Sequence, residues 1–180
     1  IGDPPPYSGL TMFDNYTIQN FNDDLLHTIG NNMRDAVITS TEWWLATSNG
    51  ASHKDVTAGT WEHFRVEMTE SAPGVGDGLI DNDLTAIAVA SDGTIWMGTF
   101  KDGLSIYNPA DGSWVQYCLF GCDNHDFLVS DQITDIAASG DFVYIGSGTL
   151  WGRDVTPTGM LTYELGNGKS QLPNIDGDMN

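Results

Sequence analysis

Residues 84–117 read LTAIAVASDGTIWMGTFKDGLSIYNPADGSWVQY, and this stretch decides the fold. Residues 84–90 form a short apolar run that stops at Ser91-Asp92-Gly93. Asp-Gly between apolar runs is a strong hairpin signal, because both turn residues tolerate positive φ. Residues 94–100 return as a second strand of β-formers anchored by Trp96, and Lys101-Asp102-Gly103 turns the chain again. Residues 104–107 are a third strand, Asn108-Pro109-Ala110-Asp111-Gly112 a longer turn, and residues 113–117 a fourth strand.

Looser copies lie on both sides. Residues 42–47 (EWWLAT) and 142–147 (FVYIGS) echo residues 94–99, with the anchors Trp44, Trp96 and Tyr144 spaced 52 and 48 residues apart. Residues 59–64 repeat 112–117, and residues 159–163 repeat 103–107. Residues 9–13 are one more copy of the third strand, followed by a fourth strand over 16–21. Four antiparallel strands repeated every 40–50 residues or so are the signature of a β-propeller blade. Strands this short cannot bury a core alone, so neighbouring blades stack and bury both faces. The expected fold is all-β: a propeller of four-stranded antiparallel blades, about three of them full, with partial blades at the ends.

The repeat resembles that of the propellers in two-component-regulator sensor domains, whose blade runs LTxIAxDxDGxIWxGTxxGLxxYxPxxGxWxxY. Residues 79–117 follow it closely, 33–64 and 131–165 more loosely, and 9–21 only in its second half. The resemblance implies large extracytoplasmic rings with a habit of binding ligands. It brings no catalytic residue with it.

One domain over residues 1–180 is expected, with outer strands at 9–21, full blades at 33–66, 84–117 and 132–170, and the start of a further blade at 171–180. Such a set leaves apolar sheet edges open, which natural β-proteins avoid. Three readings follow: a stretch of a longer propeller chain, a half-ring closed by another subunit, or a distorted four-bladed ring.

With 25 acidic and 6 basic residues the formal charge is −19. A field of that sign repels phosphate backbones and anionic membranes, so nucleic acid is not an expected partner. Cationic partners, calcium or a neutral polar ligand remain open, and acidity is also a plain solubility device. No run of about 18 apolar residues is present to span a bilayer, so no membrane insertion is expected. Cys118 and Cys122 are the only cysteines. Without further cysteines or a close histidine pair a zinc site lacks ligands, and the spacing fits a small loop disulfide. Together with low lysine and many aromatic residues, that pairing points to an extracellular or periplasmic location.

The connections that gather on one end of the blades are long: 67–83, 118–131 and 148–157. The turns at the other end, such as Ser91-Asp92-Gly93 and Ser139-Gly140-Asp141, are minimal. Loop length concentrated on one face points to that face as the binding surface. There, Trp151 and Arg153 offer an aromatic plate and a planar donor fork, suited to a sugar or a carboxylate. Against this, Trp151 serves equally as a cap on the blade edge. Lys101 and Asp102 occupy the corresponding turn one blade earlier, where they also read as ordinary turn residues. His125 lies between Asp123 and Asp126, the histidine whose acidic neighbours best suit acid–base work. Asp123, Asp126 and Asp131 are candidate calcium ligands, although no stretch completes a calcium-loop pattern and solvated Asx turns explain them as well. No serine sits in a nucleophile elbow, and residues 73–78 lack the ending of a phosphate loop.

The expectation is a non-enzymatic extracytoplasmic module, without a resident cofactor, that binds a glycan, small ligand or protein through its long-loop face. One alternative is an assembly subunit whose open blade edges pair with other copies. The other is a propeller lyase, which needs a positioned base and a cation that the residues supply poorly.

Overall fold

The protein is described from a computed structural model, covering residues 10–14, 17–21, 32–66, 78–119, 121–122, 128–148, 159–166 and 169–171. Every regular element in these residues is a strand. A hairpin of β1 (Leu10–Asp14) and β2 (Thr17–Phe21) comes first. Three antiparallel meanders follow. The first is β3 (Met33–Ile38), β4 (Glu42–Thr47), β5 (Gly50–Asp55) and β6 (Thr60–Phe64). The second is β7 (Leu84–Val89), β8 (Ile95–Thr99), β9 (Leu104–Asn108) and β10 (Ser113–Tyr117). The third is β11 (Ile133–Ser139), β12 (Phe142–Ser147), β13 (Gly159–Glu164) and β14 (Lys169–Gln171). Each meander keeps its strands in sequence order within one sheet. The fold is a partial β-propeller, and residues 84–117 make a complete blade as their turn signals require.

Short polar side chains close the turns. Asp92 Oδ1 accepts the Thr94 N–H at 3.0 Å, and Asp55 Oδ1 accepts those of Thr57 and Ala58 at 2.8 Å. These local bonds supply partners to backbone groups that the short ladders leave unpaired.

Alternation along β4 and β8 sends side chains to opposite faces of a blade, and both faces are buried. Trp44, Ala46, Ala51 and Phe64 of the first full blade pack on Ile87, Ile95 and Met97 of the second. Trp96 and Leu104, on the other face of the second blade, pack on Ile136, Val143 and Ile145 of the third. Trp44 and Trp96 are each 1% exposed, the largest side chains in their interfaces. The indole nitrogens still find acceptors at the rim, Glu42 Oε2 at 3.2 Å and Thr94 Oγ1 at 3.0 Å. Met12 packs the hairpin against Trp43 and Leu45 on the remaining face of the first full blade.

Polar staples set the spacing between blades. The register shifts at one place in each innermost strand, between Met33 and Asp35, Leu84 and Ala86, and Ile133 and Asp135. A bulge there turns side chains towards the next blade. Asp35 Oδ1 accepts its neighbour Ala36 N–H, and Oδ2 accepts Ile87 N–H from β7 at 2.9 Å. Thr85 Oγ1 donates to the Ile133 carbonyl of β11 at 2.6 Å. A second staple uses the residue two before β7 and before β11. Asn82 Oδ1 accepts Val66 N–H and its carbonyl accepts Gly50 N–H, both at 2.7 Å. Asp131 repeats this on Leu119 and Gly103, at 2.6 and 2.9 Å. Gly50 and Gly103 lie at φ of 110° and 102°, and a Cβ at either would strike the carbonyl oxygen of Phe64 or Tyr117. Both demands, positive φ and close backbone approach, select glycine.

Replacing Trp96 with Ala empties the centre of an interface and is expected to cost about 3–5 kcal/mol in urea unfolding. Val115→Ala, at a half-exposed outer-strand position, should stay within about 0.5 kcal/mol. Similar losses for the two variants would contradict the interblade anchor. Gly103→Ala is expected to lose more than about 1 kcal/mol, because strain and collision add to each other.

Candidate functional site

The strand register fixes which segments share an end of the sheets. Leu84 faces Thr99 and Tyr117 faces Leu104, so residues 78–83, 100–103, 118–119 and 121–122 all emerge together. Ile133 faces Ser147, which adds residues 128–132 and Gly148 to the same end. The described ends of the long connections therefore lie at one end of the sheets.

Charges alternate closely there. Lys101 Nζ lies 3.1 Å from Asp102 Oδ2 and 3.7 Å from Asp81 Oδ2. The hydrogen bond to Asp102, with the charge of both carboxylates, holds the Lys101 ammonium above its usual pKa. Burial pushes the Asp102 carboxyl upward, the neighbouring Asp81 adds to that, and Lys101 opposes it. Asp81 is mostly buried and its Oδ2 has no hydrogen-bond partner; Lys101 stands just beyond bonding distance. Arg34 Nη2 reaches across from the preceding blade to Asp83 Oδ1 at 3.0 Å. The Asp83 carbonyl accepts Phe100 N–H, which pins the Lys101–Asp102 turn. Two cations embedded among three carboxylates make a rim that can present either sign of charge to a polar ligand.

Cys118 and Cys122 form a disulfide at this end, with Cys118 buried and its neighbour Leu119 held by Asp131. Asp131 thus acts first as an interblade staple. Burial raises its carboxyl pKa, and the Leu119 hydrogen bond partly offsets that. Among the described residues no three His, Cys, Asp or Glu side chains gather as a metal site. Trp151, Arg153, His125, Asp123 and Asp126 lie outside the described residues.

Arg34 carries no signal in the sequence, and Asp81 and Asp83 read there only as acids of one connection, without their partners. Alignment of the segments preceding β7 and β11 sets Asn82 beside Asp131 and so gives the shared staple. Nor does the sequence announce a cavity of about 350 Å³ at the opposite end, lined by Thr41, Glu42, His53, Asp55 and Thr57. His53 stacks on Trp44 with centroids 4.1 Å apart, and its Nε2 lies 3.3 Å from Glu42 Oε2. The paired positions in the next blade hold Ile106 and Thr94. The His–Glu pair is therefore a polar variant of interblade packing, and the charged rim at the other end is the better site. On the outer strands, His63 Nδ1 lies 3.1 Å from Ser52 Oγ, and burial lowers the His63 pKa.

No family model matches the chain, and no curated protein matches it. Solved structures do. The extracellular domain of a protein named as a hybrid two-component system of B. thetaiotaomicron aligns with 92% of this chain and 22% of its own, at 18% identity and a TM-score of 0.67. A second such domain from the same organism aligns over 96% of this chain and 20% of its own, at 22% identity and TM-score 0.60. PorZ, a surface component of the type-IX secretion system of Porphyromonas gingivalis, aligns over 84% and 21%, at 15% identity and TM-score 0.57. The chain has the fold of these extracellular domains and spans about a fifth of their length.

Asp131 allows a test of its role by pH. Asn at 131 keeps an acceptor oxygen, as Asn82 shows, and removes a carboxylate whose charged form burial disfavours. A raised folded-state pKa means that the ionised group opposes folding at neutral pH. That opposition disappears as pH falls through the raised value. Asp131→Asn should therefore raise the unfolding midpoint at pH 7, with no gain at pH 3. Asp131→Ala leaves the Leu119 N–H without its acceptor and should be about 1–3 kcal/mol less stable than Asp131→Asn. An equal gain at both pH values would contradict the assignment.

Proposed function

We propose that the chain is a non-enzymatic, extracytoplasmic propeller module that binds a glycan, small ligand or protein through the end where its long connections converge. The observation that carries this reading is the charged rim of Arg34, Asp81, Asp83, Lys101 and Asp102 at that end. Lys101 is largely exposed between its carboxylates, so a ligand carboxylate or hydroxyl can replace part of its pairing without uncovering core. The turns at the opposite end are closed on their own backbone by Asp55 and Asp92, and in the cavity there His53 and Glu42 already face each other. The export reading draws on the Cys118–Cys122 bond, which belongs to oxidising compartments, and on the extracellular domains that share the fold. Trp151 and Arg153, read from the sequence on the same end, supply the aromatic plate and donor fork.

Calorimetric titration with a panel of neutral and acidic oligosaccharides tests the binding face. A Trp151→Ala/Arg153→Ala double variant is expected to bind at least tenfold more weakly, and Lys101→Ala several-fold more weakly, with Thr57→Ala unchanged. Undiminished binding by the double variant removes the assignment of this face. The compartment has a separate check. The protein isolated from its native source and denatured without reductant should take up no iodoacetamide; alkylation of both cysteines contradicts export.

A further inference from the structure

A repeating fold provides its own reference for the polar groups that a blade needs. At the short-turn end of the first full blade, Thr41, Glu42, His53, Asp55 and Thr57 line the cavity of about 350 Å³. Counting along the paired strands from Trp44–His53 and Trp96–Ile106 sets these beside Gly93, Thr94, Ile106, Asn108 and Ala110 of the second blade. Each lining residue is more polar than its counterpart, yet the neutral set does the same structural work. Thr94 Oγ1 accepts the Trp96 indole N–H as Glu42 Oε2 accepts that of Trp44. Asn108 Oδ1 accepts Ala110 N–H at 3.0 Å as Asp55 Oδ1 accepts Thr57 N–H at 2.8 Å. Ile106 fills the strand position of His53 with no polar atom to satisfy. Packing and turn closure therefore leave two carboxylates and an imidazole unexplained.

These groups are also unfavourable where they stand. Glu42 and Asp55 face each other directly across β4 and β5, and like charges in that relation repel. Among the described blades the pair does not recur: Thr94 and Asn108 are neutral, and in the third blade Phe142 faces Glu164. His53 Nε2 is buried without a hydrogen-bond partner, although Glu42 Oε2 lies 3.3 Å away, close enough in distance and wrong in direction. Glu62 Oε2, 3.9 Å from His53 Nδ1, adds a third carboxylate nearby. Among the described residues no donor meets Glu42 Oε1 or Asp55 Oδ2. Lys54 stands between His53 and Asp55 in the chain, but alternation sends it to the other face, where its Nζ lies 4.1 Å from the Trp43 ring centroid. The cavity thus joins concave space, carboxylate oxygens without donors and threonine hydroxyls, with no Lys or Arg in its described lining.

We propose that this cavity binds an alkylammonium group, seated between the carboxylates of Glu42 and Asp55. An ammonium brings one positive charge and three N–H donors. Glu42 and Asp55 each accept one of them, and a hydroxyl of Thr41 or Thr57 accepts the third. The positive charge at the same time removes the repulsion across β4 and β5. A bare metal ion fits less well: among the described residues no three ligating side chains gather, and about 350 Å³ holds a ligand of several atoms. The same head group is carried by a free small amine and by the lysine side chain of a peptide, and the recognition chemistry is common to both. The site lies at the opposite end of the sheets from the charged rim, so it is independent of the ligand reading of that rim.

NMR titration with n-butylammonium chloride and with N-acetyl-lysine amide tests it, read at the Thr57 and Ala58 amides that Asp55 holds. Tetramethylammonium, a cation without N–H donors, is the control for attraction by charge alone. Saturable shifts with either donor cation support the proposal, and the tighter of the two identifies the source as a free amine or a lysine side chain. The Glu42→Thr/Asp55→Asn double variant places the second blade's own residues at both positions. It should unfold at a higher urea midpoint in low salt and bind the donor cation at least tenfold more weakly. Glu42→Gln alone should weaken binding several-fold, which keeps the test readable if the double variant does not fold. Three results overturn the proposal: no saturable shift in the unmodified chain, equal affinity for tetramethylammonium, or undiminished binding by the variants.

Discussion

A blade of this chain cannot stand alone, and that constraint organises everything else. Strands of five to seven residues alternate side chains to two faces, and both faces of the central blade are apolar. Burial is possible only when one sheet is laid on the next, at a distance set by Trp44 and Trp96. A large aromatic fixes that distance, and the residues opposite must be small or aliphatic. Gly98, two residues beyond Trp96 on the same face, keeps the approach close, since a Cβ there would run into Ile133. The polar bonds of Asp35, Thr85, Asn82 and Asp131 then fix rotation and register between sheets that hydrophobic packing alone leaves free to slide.

This division of labour leaves the ends of the sheets as the surface that the proposed binding would use. The central sheet is committed to its neighbours on both sides, which leaves its ends open. At one end the turns are tight and closed by Asx bonds; at the other they lengthen and gather Arg34, Asp81, Asp83, Lys101 and Asp102. The rim and the blade spacing are coupled, because the staples of Asn82 and Asp131 are made by the same connections that carry the charges. A change in the rim is thus felt in the spacing of the blades, and polar residues at this end serve both demands.

Much of the fold was legible because its information is local. Asp92-Gly93, the alternation around Trp96 and the glycines that open the third strands each specify a turn or a strand without reference to distant residues. The echo at Trp44 and Tyr144 then gave the stacking. The staples were less legible, because a bond such as Asp35 to Ile87 joins residues 52 apart and depends on a one-residue bulge that no local pattern announces. The site was legible as an end of the sheets and not as a set of partners. Lys101 and Asp102 read as turn residues, and only the placement of Asp81 beside them turns three solvated charges into a cluster. Asp131, read as a possible cation ligand, has its Oδ1 engaged by a backbone N–H, a role shared with Asn82 that composition cannot reveal.

The central claim is that the blades are one cooperative unit held by interblade packing and staples. Native-state amide exchange resolved residue by residue tests it most directly. The account predicts that the N–H groups of Ile87, Leu119 and Gly103, each bonded to another blade or its connection, exchange only through global unfolding. They should share the free energy of amides inside β8. Exchange of these three by separate local openings, with the β8 amides still protected, would contradict it.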